Sequence, residues 1–132
     1  MQNIDLTSFE KAICSLNSIL ERYKRDNYDI DIRDAVIQRF EYTYSLAVKM
    51  MKRYISSQMP EIPTDLTFNE IIRQANKFGL LKTDLIKWAD YRQKRNMTSH
   101  TYDETSAKEV MSVIPEFKNE AQYLLDRLKE LV

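Results

Sequence analysis

Apolar residues recur along this chain at steps of three and four, the repeat that lines one face of an α-helix. Phe9, Ile13, Leu16, Leu20 and Tyr23 form the first stripe, behind Thr7-Ser8-Phe9-Glu10, which has the form of a capping box. The polar segment Arg25-Asp26-Asn27-Tyr28-Asp29 closes it. Val36, Phe40, Tyr44, Ala47, Met51 and Tyr54 form a second stripe and predict a helix from about Asp31 to Ser57. Met59-Pro60-Glu61-Ile62-Pro63 then predicts a stiff connector, since proline fixes its own φ and pushes the preceding residue out of the helical region. Thr67-Phe68-Asn69-Glu70 is a second capping box, with Phe68, Ile71, Ile72, Ala75 and Phe78 as the apolar side behind it. Gly79 stands where a helix takes its left-handed stop. A fourth helix is predicted from Thr83 or Asp84 and a fifth from about Asp103. The fifth has the most regular stripe: Val110, Ile114, Phe117, Ala121, Leu124, Leu128 and Leu131. Pro115 falls inside it and predicts a lost hydrogen bond and a bent axis. Long helices with short connections predict an all-α fold, a five-helix antiparallel up-and-down bundle forming one domain over 1–132.

Composition narrows the chemistry. The 132 residues include one Gly, three Pro, one Cys and one His. One glycine cannot build a phosphate-cradling loop or the turns of a β-sandwich. A zinc site of Cys and His needs about four such ligands, and Cys14 with His100 falls short, so neither metal nor cofactor is expected. No apolar run approaches the ~18 residues of a membrane span and the N-terminus does not read as a signal peptide, so a cytoplasmic protein is expected. Any reaction would use Arg, Lys, Tyr, carboxylates, hydroxyls and the single histidine. The methionines read as core filler, Cys14 as a small buried residue, and Tyr42, Tyr44 and Tyr54 as core or interface aromatics.

Net charge is zero but unevenly spread. Residues 33–53 carry five basic and two acidic side chains, and residues 77–95 six basic and two acidic, which suits a polyanion. Lys49, Lys52 and Arg53 read most simply as a solvated helix face. The fourth helix is the anomaly. Its stripe begins Leu81, Leu85, Trp88, then continues through Arg92, Arg95, Asn96, Ser99 and His100. Guanidinium groups are costly to bury without partners, so that end must face a cleft or a second chain, or the helix must turn away. Asn96, Thr98 and Ser99 favour helix ends. The helix is therefore expected to stop near Ser99, with Arg95 on its last turn and His100, Thr101 and Tyr102 at its mouth.

Arg95-Asn96-Met97-Thr98-Ser99-His100-Thr101-Tyr102 matches an R-x4-H-x-Y signature, and the chain resembles the HEPN superfamily. More narrowly it is similar to the nucleotidyltransferase substrate-binding proteins, the toxin partners in HEPN/MNT toxin–antitoxin pairs. The resemblance spans nearly the whole chain. It includes Arg39 to Ala47 on the second helix, the Phe78-Gly79-Leu80-Leu81 turn, and Trp88 ahead of the signature. Position 48 is Val where relatives commonly carry Trp. The resemblance implies a homodimer whose Arg and His motifs meet in one interfacial cleft, acting as a metal-independent RNase on RNA. It makes Arg95 and His100 catalytic and gives Asn96 and Ser99 to substrate binding, to which the polar end of the fourth stripe adds Arg92. Tyr102 would accept AMP from a cognate nucleotidyltransferase encoded nearby, silencing the toxin. The alternative it leaves open is a non-catalytic subunit presenting a substrate or nucleotide to that enzyme. The only Gly is followed by Leu80, so the G-S…D-x-D signature of a nucleotidyltransferase is absent.

Overall fold

The computed structural model describes residues 4–61 and 65–132. They form five α-helices and a short 3-10 turn, and no strand occurs among the described residues. The helices are α1 (Thr7–Arg25), α2 (Ile30–Gln58), α3 (Phe68–Lys77), α4 (Leu85–Asn96) and α5 (Glu104–Leu131), with the 3-10 turn Thr98–His100 between the last two. The helical bundle read from the sequence is the observed architecture.

Local chemistry sets the helix ends. Asp29 caps α2, its carboxylate accepting the N–H groups of Asp31 (2.8 Å) and Ile32 (3.2 Å). Thr67 caps α3: its hydroxyl accepts the Glu70 N–H (3.2 Å) and bonds the Glu70 carboxylate (3.0 Å). The box expected at Thr7 does not form. Asp5 takes the Thr7 N–H at 2.9 Å, so the chain is already helical at Thr7 and Leu6 occupies the cap. The left-handed stop at Gly79 is present, with φ of 74°. Leu80 N–H returns to Ala75 O and Gly79 N–H to Asn76 O, both at 3.0 Å, which is a Schellman closure. Arg127 Nε donates to Gly79 O (2.9 Å) and ties this turn to α5. Of the connector expected over 59–63, Met59 continues the α2 hydrogen bonding to Ile55 O; Ile62 and Pro63 lie outside the described residues. α5 continues through Pro115.

Side-chain pairs give the helix directions. Lys129 meets Glu10 while Leu20 and Pro115 line a common cleft, so α1 and α5 are antiparallel. Thr83 meets Glu120 and Lys87 meets Glu116, so α4 and α5 are antiparallel as well. α3 differs: Phe68 sits beside Tyr44 to Lys52 in one groove, and Phe78 stacks edge-on to Tyr54 at 5.5 Å. It therefore rises alongside α2 in the same sense.

The core follows the stripes. Every α2 position named above is buried, as are Val110 through Leu128 of α5, whereas Leu131 is exposed where α5 overhangs its neighbours. Phe117 stands at the centre. Its ring meets those of Phe40 (5.1 Å), Tyr91 (5.4 Å), Trp88 (5.9 Å) and Tyr44 (6.1 Å), which joins α2, α4 and α5. Cys14 is exposed, contrary to the sequence expectation. One residue past Ile13, it is rotated ~100° off the buried stripe. Tyr44 and Tyr54 are core residues, and Tyr42 reaches Ser15 through its hydroxyl at 2.7 Å.

Phe117→Ala should destabilise the bundle by about 3–5 kcal/mol, because the three helices cannot collapse onto the space one ring leaves. Urea denaturation checks this; a loss below about 1 kcal/mol would mean that the aromatic cluster does not hold α4 in place.

Candidate functional site

The site begins where α4 leaves the core. Asp84 caps it, accepting the Ile86 N–H at 3.1 Å, and Trp88 and Tyr91 are its buried residues. One turn on, the stripe leaves the buried core. Arg92 is exposed and Arg95 half-buried, and both line a groove of about 390 Å³ between α2, α3 and α4. Tyr44, Ser45, Val48 and Lys52 form its α2 wall. Leu66, Phe68 and Ile71 form the opposite wall, and Asn96 joins the two arginines. The polar end of the stripe therefore faces a cleft.

Among the described residues, this groove is lined by three cations and no carboxylate. Among the described residues, Lys52, Arg92 and Arg95 form no ion pair. The Arg92 guanidinium instead lies over the Phe68 ring, 4.7 Å from its centroid. Tyr44 is only 6% exposed. Burial pushes its phenol up to about 12, against the opposing pull of the Arg92 and Arg95 charges. Tyr44 itself lines the groove beside both arginines. A neutral phenol there can donate a hydrogen bond to an anion.

α4 ends at Asn96, three residues earlier than expected, and Met97 closes it by donating to Gln93 O and Lys94 O. Arg95 lies on the last turn, as anticipated. The chain then makes its 3-10 turn. Thr98 Oγ1 lies 2.8 Å from Arg95 O and also bonds Glu41 on α2, fastening the turn to the bundle. His100 N–H donates to Met97 O and Asp103 N–H to His100 O. At the other end, Arg33 Nη1 lies 2.9 Å from both carboxylate oxygens of Glu104 and holds the start of α5. Between these anchors Ser99, His100 and Tyr102 project outward, Tyr102 at 86% exposure. The His100 and Tyr102 rings sit edge to face at 6.2 Å.

The candidate residues read from the sequence thus divide into two neighbouring sets. Arg92, Arg95 and Asn96 share the groove; Ser99, His100 and Tyr102 lie on the turn that follows and do not line it. Sequence reasoning missed Tyr44, Phe68 and Lys52 as groove residues. Lys52 is exposed, as a solvated face predicts, but it also borders the groove, and the basic excess over 33–53 is its signal. Nothing in the sequence links Glu41 to Thr98, 57 positions apart. Another cleft, about 850 Å³, lies between the end of α1 and the first half of α5, and none of the signature residues lines it. Among the described residues, no helix is long and apolar enough to cross a membrane.

Fold and site together define a small all-α bundle with a cationic groove beside an exposed His–Tyr turn. The chain belongs to the family described as nucleotidyltransferase substrate binding protein like, whose model matches residues 4–130. A Haemophilus influenzae protein named "Probable ribonuclease HepT" is 44% identical, covering 96% of this chain and 93% of its own. A solved Haemophilus influenzae structure, described as the fold of a substrate binding domain of a nucleotidyltransferase, superposes with a TM-score of 0.85 at 33% identity. It covers 95% of this chain and 99% of its own. A Thermus thermophilus crystal structure matches at 27% identity and a TM-score of 0.74, over 91% of this chain and 98% of its own.

The Tyr44 phenol makes stability depend on alkaline pH. Its folded value of about 12 lies above the ordinary 10, so an unfolded chain releases the proton first. The associated stability is intact below pH 10 and is lost as pH rises toward 12. Tyr44→Phe should flatten that decline by up to about 1.4 kcal/mol per pH unit. Denaturation curves across the window check it, and an unchanged slope would mean that the phenol is not buried.

Proposed function

We propose that this protein is a HEPN-type ribonuclease toxin, held in check by a nucleotidyltransferase that transfers AMP to Tyr102. The observation that carries the reading is the junction of two features: a carboxylate-free groove containing Arg95, and a fastened turn that exposes His100 and Tyr102. The name of the 44% identical relative supports it. Two chains pair so that both copies of Arg95 and His100 face one cleft, in which RNA lies. A twofold pair is also the commonest soluble oligomer.

One His100 imidazole takes the proton of a ribose 2′-OH, which attacks the adjacent phosphorus. The 2′-O–P bond forms and the P–O5′ bond breaks, leaving a 2′,3′-cyclic phosphate. The other copy's His100, protonated, gives its proton to the departing 5′ oxygen. Imidazole suits both roles because it is the side chain that ordinarily titrates near neutrality. Arg95 neutralises the charge that builds on the phosphorane oxygens, and Asn96 and Ser99 hydrogen-bond them. Arg92 adds to the field that draws the polyanion in. Side chains supply every proton transfer and charge in this scheme, so no metal takes part.

Silencing uses the exposed phenol. The Tyr102 hydroxyl gives up its proton to solvent, its oxygen bonds the α-phosphorus of ATP, and the bond from that phosphorus to pyrophosphate breaks. The adduct sets a bulky anion beside His100, where it competes with RNA phosphate for the arginines.

The protein should run at twice its monomer mass in light scattering at micromolar concentration; a monomer would remove the composite site. Cleavage of RNA by the purified protein should survive EDTA and fall roughly 10²–10⁴-fold in His100→Ala. Cleavage that is lost with EDTA would overturn the metal-free scheme, and an active alanine variant would overturn the assignment of His100. Tyr102→Phe should fold, cleave RNA and resist the nucleotidyltransferase with ATP. Intact-mass analysis that finds the adduct on another residue would displace Tyr102. If no cleavage occurs while the nucleotidyltransferase gains activity from this chain, the binding-subunit role replaces the toxin.

A further inference from the structure

The groove contains more than the phosphate chemistry of Arg95 requires. Its aromatic wall is Phe68, and Arg92 covers that ring at 4.7 Å. The Arg92 guanidinium thus rests on an aromatic ring rather than on a carboxylate, and the residue is exposed. Lys52 stands exposed on the α2 wall, and the Tyr44 hydroxyl, on a residue 94% buried by its 6% exposure, has no hydrogen-bond partner among the described residues. A buried arginine is costly without an acid, so an unpaired one is kept where solvent or an anion can reach it. Here a flat cation, a second cation and a neutral donor converge on about 390 Å³ of open space.

We infer that the Lys52–Phe68–Arg92 groove is a subsite for one unpaired nucleotide of a single-stranded RNA, next to the phosphate that Arg95 handles. The base stacks on the Arg92 guanidinium, Lys52 meets a neighbouring phosphate, and Tyr44 donates to an oxygen of the same nucleotide. Stacking on guanidinium and aromatic planes beside a basic track is how unpaired bases are held. A duplex presents no free base face to such a groove. The polymer's identity rests on the ribonuclease reading; the single-strand requirement rests on the groove.

The test is fluorescence anisotropy with an end-labelled single-stranded RNA oligonucleotide, using the full chain carrying His100→Ala so that binding is read without cleavage. Against that parent, Lys52→Ala should weaken binding several-fold and reduce the slope of log affinity against log salt by about 0.7, the loss of one phosphate contact. Arg92→Lys keeps the charge but removes the plane, and should still weaken binding roughly fivefold or more. Lys11→Ala should bind as the parent does, since α1 touches neither α3 nor α4. The same sequence as a duplex should bind at least tenfold more weakly.

Parental affinity in both Lys52→Ala and Arg92→Lys overturns the subsite. So does a duplex that binds as tightly as the single strand. Polyglutamate of equal charge that displaces the RNA through the same two residues also overturns it, and assigns the groove to an acidic protein segment. Groove-dependent RNA binding by a chain that cuts no RNA upholds the subsite while the catalytic reading fails. Normal cleavage by both groove variants upholds the ribonuclease and removes the subsite.

Discussion

The packing of one ring, Phe117, against four others fixes the geometry on which the site depends. It is fully buried and touches Phe40 and Tyr44 of α2 and Trp88 and Tyr91 of α4. These contacts decide which face of α4 is inward and how far along that helix the core extends. Trp88 and Tyr91 fill the last space available. The next residues of the same stripe come after the core has ended, so Arg92 and Arg95 can remain charged and solvated while keeping an inward heading. The groove is a consequence of a core that stops one turn before its helix does.

The bundle tolerates three cations along one groove because it leaves Lys52 and Arg92 exposed and Arg95 only half-buried. Desolvating them without acids would be prohibitive, and pairing them with acids would give an ordinary salt-bridge network. Neither happens. Arg92 is steadied by the Phe68 face, which restrains the side chain and leaves the charge uncompensated. Like charges held this close without acids repel one another, a repulsion that a bound anion would relieve.

Rigidity and exposure are separated on the following turn. Hydrogen bonds from His100 to Met97 O, from Asp103 to His100 O and from Thr101 to Thr98 O order the backbone. Glu41 and Arg33 of α2 fasten it at either end. The side chains of His100 and Tyr102 carry none of this load and are free to meet a second molecule. A general acid–base or a modified phenol requires that combination of a fixed main chain and an accessible tip.

Much of this was legible in the sequence because helical periodicity is a local property. The stripes through Phe40, Tyr44, Ile114 and Phe117 marked the core, Thr67 and Gly79 marked both ends of α3, and the stripe through Trp88 to Arg95 marked where a core pattern became polar. Arg95, His100 and Tyr102 were named from spacing and resemblance within eight residues. Local patterns misled where a neighbour competed, as when Asp5 rather than Thr7 served the start of α1. They were silent where two helices had to meet. That Phe68 would lie under Arg92, that Lys52 would border a groove, and that Glu41 would hold Thr98 depended on the sense in which α3 packs along α2 and on where the Phe117 cluster sets α4. Such placements follow from how whole apolar faces fit together, and no stretch of sequence contains them. The sequence determined the helices and the candidate residues; only the tertiary structure decided that one set would share a groove while His100 and Tyr102 stood outside it.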